Sequence, residues 1–198
     1  MIFEYDNKTI QVKVVYYGPA MSGKTTTVKQ LFSYFNKEHS VKSIDSSVGR
    51  TLLFDFGVLE FKGTVWGVKF LVYSATGQDF YASTRPATLS GVDGIIFVAD
   101  SQRESLEHNI RSWNELKIMF MEEFYDIPVV ISLNKYDLQS LDKLEARDIM
   151  PYVCYEKFKS FSLNKTIAIE GAGVLEAFQK LIRFIFPQLN INLIAVKH

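Results

Sequence analysis

Cysteine is nearly absent from this chain. Cys154 stands alone among 198 residues, so no disulfide can close within it. A reducing setting fits that usage, and the expected location is the cytoplasm. An excess of either charge is also lacking: 22 Lys plus Arg balance 22 Asp plus Glu. A net charge of zero gives no electrostatic footprint for nucleic acid or an anionic membrane. The three histidines, His39, His108 and His198, are scattered and make no metal-ligand spacing. No run approaches the ~18 apolar residues of a membrane helix. The opening MIFEYDNK lacks a basic region followed by an apolar run, and no glycine follows Met1 for myristoylation. The closing AVKH carries no cysteine to prenylate, so no stable membrane anchor is expected. Repeats, low-complexity stretches and Pro/Gly/Ser linkers are absent too, which leaves one domain over residues 1–198.

What is present is a normal globular balance, 47% hydrophobic and 22% charged. Residues 2–5 and 10–17 read as strands joined by a turn at Asp6-Asn7-Lys8, a hairpin that runs into a glycine-bearing loop. Residues 23–36 read as a helix, with Val28, Leu31, Phe32 and Phe35 on one face. The serine-rich stretch 37–50 reads as a surface loop. Two β-rich runs, 51–61 and 65–73, flank Lys62-Gly63-Thr64 as a second hairpin. Residues 74–90 look less regular. Then apolar strands (94–99, 127–133 and a short one at 166–169) alternate with helices (105–124, 141–150 ended by Pro151, and 174–186). This order predicts a three-layer α/β fold with a mostly parallel sheet, one antiparallel hairpin and an extra N-terminal strand.

The loop after the second strand reads YYGPAMSGKTTT over residues 16–27. Gly18, Gly23, Lys24 and Thr25 fit G-x-x-x-x-G-K-[ST] between an apolar strand and an amphipathic helix. Inward backbone N–H groups and the positive end of the helix hold anions there. Gly18, Ala20, Met21, Ser22, Gly23, Lys24, Thr25 and Thr26 are therefore the candidate phosphate holders. Lys24 supplies a point charge and the Thr25 hydroxyl a Mg²⁺ ligand. The loop alone does not choose between ATP, GTP and a phosphorylated small molecule.

Asn134-Lys135-Tyr136-Asp137 follows the apolar run ending at Leu133. The C-terminal ends of strands are where open α/β sheets bind ligands. Guanine carries two donors on one edge, N1–H and the 2-amino group, and one carboxylate, here Asp137, accepts both. Adenine leaves that carboxylate uncompensated. The stem of Lys135 can lie along the base face, and Asn134 can reach back to the phosphate loop. Ala168, followed by Ile169, is placed for its N–H to meet guanine O6.

YGPAMSGKTT, SATGQ, NKYD and AIEGAGVLEAF stand in the order and spacing of the Ras superfamily, and the chain resembles a small GTPase over nearly its whole length. It is most similar in type to the MglA-like GTPases of prokaryotes, which share the Y-Y-G-P-x-x-S-G-K-T-T form and a stretch like Arg50 to Phe56. The resemblance implies a P-loop G domain that binds GTP/GDP with Mg²⁺ and signals nucleotide state through segments 37–52 and 74–90. It implies that Gln78 orients the attacking water, with Gly77 offering its N–H to the γ-phosphate. It implies Mg²⁺ contacts from Thr51 and, through a water, from Ser74. Ser74 departs from most small GTPases, which carry Asp there, and so adds no negative charge. Thr51 can also be read as a β-branched residue that starts a strand. Arg50 is either an arginine finger supplied in cis or a solvent-exposed loop arginine. Partners implied are a protein effector and an activating protein of roadblock type, in polarity, motility or trafficking. The aromatic residues Phe54, Phe56, Phe61 and Trp66, and Phe80 with Tyr81, read as core or as a partner surface. Two functions stay open: a GTP-hydrolysing switch, catalysed by Gln78, Arg50 and Lys24, or a constitutively GTP-bound interaction module with little hydrolysis. A P-loop kinase leaves NKYD unexplained.

Overall fold

A computed structural model of the chain describes residues 1–45, 52–77, 83–138 and 142–188. Among the described residues the sheet has eight strands: β1 (Ile2–Glu4), β2 (Thr9–Tyr17), β3 (Lys42–Asp45), β4 (Leu52–Phe61), β5 (Gly67–Ala75), β6 (Gly94–Asp100), β7 (Val129–Asn134) and β8 (Phe161–Lys165). Their order is β3-β4-β5-β2-β6-β7-β8. Pairing is parallel from β5 through β2, β6 and β7 to β8, and antiparallel for β3 with β4 and β4 with β5. β1 pairs antiparallel with β2 at Thr9–Gln11, just before β6 joins β2 at Val14. Since β5 holds the other edge of β2 from Thr9 to Tyr16, β1 and β6 share one edge in tandem.

The helices are α1 (Lys24–Tyr34), α2 (Arg85–Leu89), α3 (Leu106–Phe120), α4 (Ala146–Val153) and α5 (Val174–Ile185). The two-residue alternation of a strand decides which layer each residue joins. On β2, Val12, Val14 and Tyr16 pack with Val28, Leu31 and Phe32 of α1 and Phe178 and Leu181 of α5. Val15 and Tyr17 pack on the other face with Leu89 of α2, Trp113 and Leu116 of α3 and Ile149 of α4. β6 (GIIFVAD) and β7 (VVISLN) are buried throughout, as strands covered on both faces must be. Among the described residues no helix is long and apolar enough to cross a membrane.

Four local expectations are corrected. Within the stretch read as a surface loop, Lys42–Asp45 forms β3, an edge strand against Phe54–Phe56, its alternation obscured by polar residues. Of the irregular stretch, Ser74 and Ala75 finish β5 and Arg85–Leu89 forms α2. Pro151 lies inside α4, which begins after Glu145, rather than ending a helix begun at 141: its fixed φ suits helical backbone, and its missing N–H costs one intrahelical bond without ending the helix. The last strand is Phe161–Lys165; residues 166–169 form a loop held by an Ile167–Ala172 bridge. The aromatic residues of the β4–β5 hairpin are half-buried, neither core nor free surface. The Phe54 and Phe56 rings lie 5.6 and 4.8 Å from that of Tyr73.

Candidate functional site

The buried end of β2 delivers the chain into the loop, and α1 leaves it at once, with Thr27 N–H donating to Gly23 O at 2.8 Å. Gly23 has φ 99°, and a Cβ there would stand 2.3 Å from Asn134 Nδ2. Only glycine fits, in conformation and in space. Gly77 is constrained differently: a Cβ there would stand 2.4 Å from Ala20 N, so the end of β5 runs directly against the loop.

Lys24 is buried, and its Nζ donates to Gly18 O at 2.9 Å and Pro19 O at 2.6 Å. Its pKa is lowered to about 7, first by burial and then by the Arg85 guanidinium, against a smaller upward pull from Asp55. The Thr25 hydroxyl donates to Asp55 Oδ2 at 2.6 Å. Asp55 is the residue that sequence reading missed. On β4 it continues the row of Leu59 and Gly57 that faces α1, and it stands directly opposite Ser74 of β5. The carboxylate lacking at Ser74 thus reaches the same place from the neighbouring strand. The signal was an acidic residue, Asp55, flanked by apolar residues in the stretch LLFDFGV of β4.

A cavity of about 400 Å³ gathers Met21, Gly23, Lys24, Thr25, Thr26, Asp55, Ser74 and Gly77. Among the described residues no cluster of three His, Cys, Asp or Glu exists to cage a metal. One carboxylate and two hydroxyls are instead hard oxygen donors of the sort that suits Mg²⁺, which keeps water and phosphate as further ligands. The donor set therefore fits the ion. Beside this cavity the Arg85 guanidinium donates to Thr76 O (3.1 Å) and Glu115 Oε2 (2.6 Å), and Tyr17 hydroxyl donates to the same carboxylate oxygen (2.8 Å). This network ties the end of β5 to β2 and α3.

At the other end of the loop lies a second cavity of about 220 Å³, which shares Met21, Gly23 and Thr26 with the first and adds Asn134, Lys135, Asp137, Ala168 and Ile169. Asn134 donates from Nδ2 to Ser22 O (2.9 Å), while its Oδ1 accepts from Thr166 Oγ1 (3.2 Å) and Ala168 N (2.9 Å). The Ala168 N–H, expected at guanine O6, donates here to Asn134 Oδ1, a bond that a base taking the same donor would share. Lys135 has φ 64° and pairs with Asp100 Oδ2 at 2.6 Å. Asp137 is half-buried, and among the described residues none hydrogen-bonds its carboxylate. The structure thus gathers the loop residues, Ser74 and Gly77 at one end and Asn134, Lys135, Asp137, Ala168 and Ile169 at the other. Arg50, Thr51 and Gln78, with Phe80 and Tyr81, lie outside the described residues.

The sequence pattern of the ADP-ribosylation factor family matches residues 1–185. The chain is 34% identical over 193 residues to Mutual gliding-motility protein MglA of Myxococcus xanthus (strain DK1622), covering 94% of this chain and 96% of that protein. It is 28% identical over 187 residues to ADP-ribosylation factor-like protein 6 of Caenorhabditis elegans, covering 91% of this chain and 88% of that one. It is also 28% identical over 148 residues to Ras-related protein Rab-5A of Dictyostelium discoideum, covering 74% and 68%.

Proposed function

Since the chain belongs to the ADP-ribosylation factor family of Ras-superfamily small GTPases, we propose that it is a GTP-hydrolysing switch that reports nucleotide state through segments 37–52 and 74–90. Small GTPases bind GTP and GDP, typically with Mg²⁺, and generally hydrolyse GTP. The observation that carries the reading for this chain is that its two cavities adjoin, sharing Met21, Gly23 and Thr26 as a common wall. A phosphate chain at Lys24 and a base at Asp137 then belong to one ligand.

Lys24 exchanges its carbonyl partners for β- and γ-phosphate oxygens, and loop N–H groups hold the rest of the chain. Thr25, Asp55 and Ser74 would hold Mg²⁺, directly or through water, with Thr51 as a further ligand from the first segment, and the bound ion would supply positive charge beside the phosphates. Gly77 N–H meets the γ-phosphate. Gln78 orients the water for in-line attack, and Arg50 stabilises the charge, a contribution worth ~10³ to 10⁵ in rate for an arginine finger. Loss of the γ-phosphate frees both segments, and an effector reads the difference. An activating protein, of roadblock type by analogy with MglA-like proteins, speeds the slow intrinsic reaction. Polarity, motility or trafficking is the proposed setting, in the cytoplasm.

The main support for the rival reading, a constitutively GTP-bound module, is Ser74, and Asp55 opposite it weakens that support. The test is to identify nucleotide on the purified protein before and after overnight incubation with Mg²⁺. Conversion of bound GTP to GDP is expected. GTP left intact, with or without cell extract, would select the rival, and adenine nucleotide in the site would reject both.

A further inference from the structure

The guanine-facing turn is braced twice. The buried brace is Asn134. The second is Tyr136, the variable residue of N-K-x-D, which no motif assigns. Its backbone N–H donates to Thr166 O at 3.3 Å, and its carbonyl accepts from Lys143 Nζ at 2.5 Å. Two ammonium groups lie over its ring: Lys165 Nζ at 4.1 Å from the centroid and Lys143 Nζ at 5.0 Å. Its hydroxyl hydrogen-bonds the Glu145 carboxylate, which also pairs with Lys165 at 2.8 Å. Glu145 is the residue that opens α4, and its own N–H donates to Asp148 Oδ2 at 2.8 Å.

Two separate pieces of chain therefore converge on one ring: the end of β8 leading to Thr166 and Ala168, and the Lys143-Leu144-Glu145 stretch that opens α4. Leu144, between Lys143 and Glu145, is buried and donates to Ser101 O at 2.7 Å, so this frame is fixed to the end of β6. Asp137 is the next residue along the chain and has no side-chain brace among the described residues. Its position is inherited from Tyr136.

We propose that Tyr136 is a positioning residue for guanine recognition, setting the Asp137 carboxylate where it accepts from the 2-amino group as well as from N1–H. The inference rests on the reading of Asp137 as the guanine acceptor. It makes a demand that general loosening of the fold does not. Losing the brace should cost the contact most sensitive to the carboxylate's angle, and hypoxanthine lacks the 2-amino group while keeping N1–H and O6. Affinities of the full chain for GDP and IDP separate the cases. The wild-type protein is expected to prefer GDP by about tenfold or more, the scale of one charge-assisted hydrogen bond.

In Tyr136→Ala that preference should fall toward one, mostly through weaker GDP binding. Tyr136→Phe keeps the ring under both ammonium groups and should retain most of it. Lys165→Met, a half-exposed position that leaves folding intact, should give an intermediate ratio. Equal losses for GDP and IDP in Tyr136→Ala, or an unchanged ratio in all three variants, would overturn the proposal. A wild-type ratio near one would instead overturn the reading of Asp137 itself, and the positioning role with it.

Discussion

The two ends of the groove hold their polar groups in opposite ways. At the base end, Asn134 spends its amide on Ser22, Thr166 and Ala168, and Tyr136 spends its ring and hydroxyl on Lys165, Lys143 and Glu145. Those bonds are scaffold: a base that arrives needs only Asp137 and a share of Ala168. At the phosphate end, the bonds join the very groups that would hold the ligand. Lys24 donates to the carbonyls of its own loop, and Thr25 donates to Asp55. Binding there is an exchange of partners. One end is preorganised, and the other is self-satisfied until a phosphate displaces its internal bonds.

The largest effect should come from emptying the exchange end. Lys24→Ala removes two charge-assisted hydrogen bonds, so GDP affinity by fluorescent-nucleotide titration should fall about a hundredfold or more. An affinity within threefold of wild type would mean that the loop does not hold phosphate. Next is the preorganised end. Asp137→Asn should lower GDP affinity about thirtyfold and raise xanthosine diphosphate affinity, since the amide matches the 2-carbonyl of xanthine. If both nucleotides weaken alike, the carboxylate is not the base contact.

Asp55→Asn should raise the Mg²⁺ concentration that slows GDP release about tenfold, with GDP affinity in EDTA little changed. Adding Ser74→Asp, directly across the strand pair, should restore the original Mg²⁺ dependence. Failure of that rescue would detach Asp55 from the metal. The most gradual effect is on pH. With its pKa at about 7, empty Lys24 must take up a proton as a phosphate chain binds. GDP affinity should therefore fall between pH 7 and 9, by at most about tenfold per unit. The stability of the empty protein should rise over the same window, because the unfolded lysine, near 10.5, is still protonated there. Calorimetry in buffers of different ionisation enthalpy should show the uptake; a flat profile would mean that Lys24 stays charged when empty.

What the sequence made legible is what is contiguous in it. Gly18 to Thr25 and Asn134 to Asp137 each lie on one turn after an apolar strand, so spacing alone places their side chains together. Asp55 was not legible as a site residue, because its place opposite Ser74 depends on the register of β4 against β5, and a shift of one residue would turn it to the other face. Arg85, Glu115 and Tyr17 meet only once α2, α3 and β2 are packed. The edge strand β3 escaped because its residues carry little apolar pattern and pair by backbone against β4. Residues 166–169 misled in the other direction: Ile167, Ala168 and Ile169 look like a strand, yet the sheet ends at Lys165.

The buried amine at Lys24 also has a reactivity. A lysine near pKa 7 is about half unprotonated at neutral pH, where an ordinary surface lysine is almost wholly ammonium and inert as a nucleophile. It opens onto a cavity of about 400 Å³, wide enough to admit a small acylating or sulfonylating reagent. The empty protein should therefore be labelled at this one amine ahead of its surface lysines. A bound phosphate chain, by restoring the proton and filling the cavity, should shield it. Covalent modification of a single lysine becomes a footprint of site occupancy.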